Sequence, residues 1–212
     1  MSGNYLLYLG TAALWTVGLS LMAMIGGGVL GFCIALLRVS PIKPFAWAAI
    51  AYIQVVQGIP LLVLLFISYF GFSIAGFNPS PLVTVVIAFS VYSAAYLGEI
   101  WRGSIQSVSK TQWEASSCLG FPRHLQLRQI ILPQAVRIAT PPTVGFMVQL
   151  VKNTSLASVV GFIELARAGQ ILNNTLFQPF TVFIFVALIY FCLCFPLSYV
   201  SKKLESSYVA NR

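Results

Sequence analysis

The chain has 212 residues, 58% of them hydrophobic and only 8% charged, with a mean hydropathy of +0.89. Soluble domains carry about 25% charged residues, so this composition cannot clothe a water-facing surface, which excludes a soluble enzyme, a secreted disulfide scaffold and a disordered protein. Twelve Lys and Arg against four Asp and Glu give a formal charge of +8; in an apolar chain this reads as basic residues flanking membrane segments, not as a phosphate-binding surface, and no nucleic-acid partner is expected.

An all-α integral membrane protein is therefore expected. Met1-Ser2-Gly3-Asn4 lacks the charged start of a cleavable signal, so the first apolar run is expected to be retained. A crossing needs about 20 apolar helical residues, and no charge occurs before Arg38, which predicts a first span over roughly 5–37. Gly27 and Gly31 in that span have GxxxG spacing, which allows close helix approach, either within the subunit or against a second copy. Between Lys43 and Glu99 lie 55 uncharged residues, too many for one helix, and the turn-forming stretch 71–81 divides them. A second span near 45–70 and a third near 82–100 follow. A polar stretch, about 101–137, then carries five of the twelve basic residues. A fourth span near 139–163 is interrupted by Lys152, and a fifth runs over about 179–200. Pro60, Pro141 and Pro142 are expected to kink or end helices.

Five spans put the chain ends on opposite sides. With the C-terminus inside, ten of the basic residues lie on the cytoplasmic side, Arg167 lies outside and Lys152 lies within a span. The positive-inside rule thus predicts N-out, C-in. Cys33, Cys192 and Cys194 fall in apolar runs and Cys118 in the polar loop, with no ligand spacing, so reduced cysteines and no metal are expected.

The loop between spans three and four carries the clearest signal. Over 112–120 a short helix is predicted, with the small residues Ala115, Ser116, Ser117 and Cys118 in a row and Gly120 as its stop. Small side chains let another surface approach the backbone, although such a helix can also lie at the membrane interface. The stretch Glu114-Ala115-Ser116, three residues, Gly120, nine residues, Ile130-Ile-Leu-Pro133 resembles the EAA loop of bacterial ABC-transporter permeases. Ser116 stands where that pattern has a second alanine. The likeness extends to Gly58-Ile-Pro-Leu-Leu62, Glu99-Ile-Trp-Arg-Gly103, Lys152-Asn-Thr-Ser-Leu156 and Glu164-Leu-Ala-Arg167, which resemble the polar amino-acid branch of that family. Gln57-Gly-Ile-Pro60 departs from the Arg-Gly-Thr-Pro common in relatives, so no role passes to Gln57.

The resemblance implies a single type-1 transmembrane domain, its core about 11–203 and its coupling loop about 104–133. In it Glu114, Ala115, Ser116 and Gly120 would contact a separate ATPase. It implies two ATPase subunits that use ATP and Mg, a second permease that is identical or paralogous, and a periplasmic or extracellular solute-binding protein. It also implies a polar amino-acid substrate and the bacterial plasma membrane. The chain has no G-x-x-x-x-G-K-[ST] cradle, so it holds no nucleotide that way, and neither a cofactor nor a catalytic residue is expected.

Charged and polar groups at membrane depth are functional candidates. Lys152-Asn-Thr-Ser155 breaks the fourth span, and broken helices expose backbone groups suited to an amino acid, which nominates Thr154 and Ser155. Lys152 either contributes there, snorkels, or pairs with an acid. Glu164 is expected either to meet a substrate ammonium or to bridge Arg167 at i+3. Glu99 and Arg102 form an internal ion pair, or Arg102 meets a substrate carboxylate. Asn78, Asn173 and Asn174 are placed in outer loops. An ion-coupled carrier or channel is the competing class, but only two acids lie near membrane depth and no repeat is visible. His124, the one histidine, sits in the polar loop and serves no intramembrane hydrolase.

Overall fold

The computed structural model describes residues 3–210, with side chains to 207. All regular structure among the described residues is helical: α1 Gly3–Arg38, α2 Lys43–Gly58, α3 Leu61–Ile74, α4 Pro81–Gln106, α5 Lys110–Cys118, the short turn α6 Arg123–Leu125, α7 Leu132–Asn153, α8 Leu165–Leu176 and α9 Pro179–Ala210. A π-helical segment, Gln126–Ile131, leads into α7, and a 3-10 segment, Thr154–Val160, follows it.

Three helices, α1, α4 and α9, are long and apolar enough to cross a membrane alone. Two bent pairs raise the number to five when each pair counts as one span. The second predicted span is not one rod: α2 and α3 meet at 103°. Pro60 explains the break, because it lacks an N–H and forces the preceding residue out of the helical region; Ile59 is extended, with φ −104° and ψ 130°. The fourth predicted span, near 139–163, lies largely within the run Arg123–Val160, which bends by 52° into α8. Pro141 and Pro142 do not end α7, which runs through both.

The start of α4 follows ordinary capping chemistry. Ser80 accepts the Val83 N–H at 3.4 Å and Pro81 takes the first turn, where its missing N–H costs nothing. The main core joins Leu19, Leu65, Phe89, Leu97 and Leu150, all wholly buried. A second cluster joins Leu9, Leu165, Leu172 and Val182. A third, at the end that the positive-inside rule assigns to the cytoplasm and that is here called inner, joins Ile105, Val108, Ile131 and Ala135 with Val39 and Trp113 against it.

The GxxxG pair packs inside the subunit, against α4. A Cβ on Gly27 would collide with the Ser93 Cβ and come within 3.1 Å of the Ala94 nitrogen and the Ser90 oxygen; one on Gly31 would stand 3.0 Å from the Ala94 oxygen. The Ser93 Cβ is fixed by its own backbone and the others are backbone atoms, so none can turn away. Gly27→Leu is therefore expected to separate α1 from α4, costing more than the about 1–3 kcal/mol of ordinary overpacking. Fluorescence-detected size exclusion should show the folded peak lost, whereas Gly18→Leu, with no atom within 4 Å of its Cβ position, should leave the peak in place.

Candidate functional site

The inner end carries the predicted short helix, two residues longer at its start than the sequence suggested. Ser109 caps α5 by accepting the Thr111 N–H at 3.3 Å. Its other end is a complete Schellman turn: the Gly120 N–H reaches the Ser117 oxygen at 2.9 Å and the Phe121 N–H reaches the Ser116 oxygen at 3.2 Å. Gly120 stands at φ +75°, the left-handed region that this turn requires. Gln126 locks the turn from the π-helical segment, donating to the Phe121 oxygen at 2.7 Å and the Ser117 hydroxyl at 3.1 Å. Trp113 roots the helix in the inner cluster, with Arg123 over its ring at 5.9 Å.

Glu114, Ala115 and Gly120 are exposed and form an open edge. Ser116 is not part of it: it is 1% exposed and donates to the Trp113 oxygen at 2.8 Å. Of the four residues nominated for the ATPase, Ser116 thus faces inward, its hydroxyl spent on its own helix.

The break after α7 falls where the sequence placed it, yet the side chains point differently. Thr154 is wholly buried and donates to the Val151 oxygen at 2.7 Å, while Ser155 is half-buried and donates to the Lys152 oxygen at 2.8 Å. Lys152 is exposed on a groove with Tyr190 and Cys194 and makes no ion pair among the described residues. Gly161, at φ +86°, turns the chain, and Glu164 caps α8.

Glu164 is wholly buried. Its oxygens accept the Ala166 N–H at 2.9 Å, the Arg167 N–H at 2.8 Å and the Tyr190 hydroxyl at 2.7 Å. The expected bridge to Arg167 does not form, because that guanidinium turns to Gln170 at 3.1 Å. The carboxylate ties α8 to α9, while Thr16 of α1 accepts the neighbouring Leu165 N–H at 3.1 Å. A helix N-terminus and three donors suit a buried anion without a cation. Asn173 and Asn174 lie within α8, not in a loop.

The ion pair of α4 is real and larger than the sequence suggested. Arg102 donates through Nε to Glu99 Oε2 at 2.9 Å, through Nη2 to Oε1, and through Nη1 to Gln106. Arg38, credited in the sequence only with fixing orientation, approaches the same carboxylate at 3.7 Å. Its position at the very end of α1 gave no signal that it returns to α4. Gln57 and Tyr96 share the groove of Arg102 with Pro142 of α7. Pro142 precedes Thr154 by twelve residues, about 18 Å of helix, so the structure separates the nominated substrate residues: Arg102 lies beside Pro142, and Thr154, Ser155 and Glu164 lie at the break after α7.

Comparison with known proteins shows the family. The "binding-protein-dependent transport system inner membrane component" family matches residues 27–208. The probable amino-acid ABC transporter permease YckA of Bacillus subtilis is 40% identical over 194 residues, covering 92% of this chain and 86% of that protein. The probable glutamine ABC transporter permease GlnM of the same organism is 38% identical, covering 89% of each. A crystal structure of an amino acid ABC transporter with histidines superposes with a TM-score of 0.90 at 32% identity, covering 96% of this chain and 95% of that one. The MetNI methionine ABC transporter, inward facing, superposes at 0.79 with 18% identity over 96% and 99% of the chains and shares the fold. By sequence over most of its length, and by its helical architecture, the chain belongs to the family of binding-protein-dependent transport system inner membrane components.

Proposed function

We propose that this chain works as a five-span, N-out, C-in permease that carries a polar amino acid across the bacterial plasma membrane, driven by a separate ATPase through α5. The observation that carries this reading is the exposed edge Glu114–Ala115–Gly120, held by Trp113 on the inner cluster and by Gln126 of the π-helical segment. A push on that edge reaches α4 through Ile105 and Val108 and α7 through Ile131 and Ala135. Two ATPase subunits, a second permease and an external binding protein complete the assembly, because five helices are too few to enclose an amino acid and its gates.

Within the pathway, substrate contact falls to Arg102 at the inner end and to Ser155 at the outer break, with Thr154 and Glu164 shaping that break. YckA, GlnM and a cystine-system permease, TcyB, support an amino-acid cargo. The chain should co-purify with an ATPase subunit, and proteoliposomes of the assembly should import a polar amino acid only with ATP inside the ATPase compartment. Import by the permease alone, without nucleotide, overturns the reading.

A further inference from the structure

The inner ion cluster holds more cation than its anion uses. Arg102 grips Glu99 through both carboxylate oxygens. Arg38 reaches that carboxylate only at 3.7 Å, beyond hydrogen-bond range. Its side chain is 22% exposed, and its Nε is buried with no hydrogen-bond partner among the described residues. A guanidinium is a planar fork of donors matched to a carboxylate, and an unused buried donor is costly. Arg38 lines a cavity of about 190 Å³ with Ile50, Ile53, Gln54, Gln57 and Glu99. Gln57 and Glu99 also line the adjoining groove of Arg102, so the two spaces meet at Glu99.

We propose that this cavity is a subsite for the α-carboxylate of the transported amino acid, with Arg38 as its receptor and Glu99 beside it for the ammonium. The inference rests on the amino-acid reading above and deepens it. A zwitterion carries opposite charges a few ångströms apart, as do Arg38 and Glu99, and its binding leaves the net charge of the cluster unchanged. A lipid phosphate fits less well, because Glu99 repels it and it brings no matching cation. The carboxylate would meet the exposed part of the Arg38 side chain, whose charge Glu99 leaves only loosely matched at 3.7 Å, at the inner end where cargo leaves the pathway.

The test uses the assembled complex of permease and ATPase in nanodiscs, with and without phosphatidylglycerol. Radiolabelled L-glutamine, L-arginine and L-cystine serve as probes, and the amide of whichever is bound serves as a competitor lacking the carboxylate charge. The wild type should prefer the free acid over its amide by about tenfold, the value of one charge-assisted hydrogen bond. Arg38→Gln should erase that preference, and Arg38→Lys, a point charge without the fork, should keep part of it. If Arg38→Gln fails to assemble, Arg38→Lys decides: an unchanged preference overturns the proposal. A preference that survives Arg38→Gln overturns it too, as does an Arg38 effect seen only with phosphatidylglycerol, which assigns the cavity to a lipid headgroup. Failure of the wild-type assembly to import any amino acid with ATP and binding protein defeats the underlying reading, whatever Arg38 does.

Discussion

Glu164→Ala is expected to lower the thermal midpoint of the purified chain in detergent by roughly 10 °C. The substitution strands the Ala166 and Arg167 N–H groups and the Tyr190 hydroxyl inside the bundle. Each stranded donor costs about 1–3 kcal/mol, and about 3 kcal/mol in total shifts a chain of this size by that amount. Glu164→Gln keeps an oxygen for the helix cap and an amide for Tyr190, so it should lose about half as much. Tyr190→Phe removes one bond and should cost about 1 kcal/mol. Uptake should fall in proportion to folded protein across the three variants. A Glu164→Ala chain of normal midpoint whose KM for amino acid rises steeply would instead return the carboxylate to the substrate.

Substitutions at Gly120 should sort by backbone, not by size. No atom lies within 4 Å of its Cβ position, so even a large side chain has space. The constraint is φ +75°, where Asn is tolerated, while a β-branched residue is strongly disfavoured. Gly120→Val should undo the Schellman turn, release the exposed edge and reduce ATPase co-purification and uptake at least about tenfold, since the strain of about 1–2 kcal/mol adds to two lost turn bonds. Gly120→Asn should keep most uptake. Gly120→Asp separates the remaining factor: activity with Asn and none with Asp would mean that the partner surface rejects a negative charge at this edge. Equal activity of the Val variant and the wild type would remove the turn from the coupling route.

As a permease subunit of its family, the chain is a translocation component without catalytic residues, and ATP hydrolysis belongs to a separate subunit. Much of this was legible from residue order alone. The absence of charge before Arg38 fixed α1, and the small residues ahead of Gly120 marked α5 and its turn, because both signals are local. The break after Lys152 was legible for the same reason, being four polar residues in an apolar run.

What escaped the sequence depends on long-range geometry. Ser116 and Glu114 look equally available along the chain, and only the position of Trp113 in the inner cluster decides that one faces in and the other out. Arg167 sits at the ideal i+3 spacing from Glu164, yet the cap consumes the carboxylate through backbone N–H groups that no side-chain pattern reveals. Arg38 and Glu99 are 61 positions apart, and the glycine contacts of α1 with α4 bring them together. Pro60 announced a kink, but not that α3 would leave at 103°.

That elbow has a consequence for the bilayer itself. The last four carbonyls of any helix lack partners within it, and at Gly58 and Pro60 the chain leaves the surroundings open. Taken as one span, α2 and α3 would set this elbow in hydrocarbon, which cannot satisfy such groups, so water or another protein surface would have to do so. Alone in a membrane, the chain would draw a notch of moisture toward the bilayer interior and risk leaking small ions along it. Sealing that leak would be a task, independent of cargo, for the second permease proposed above.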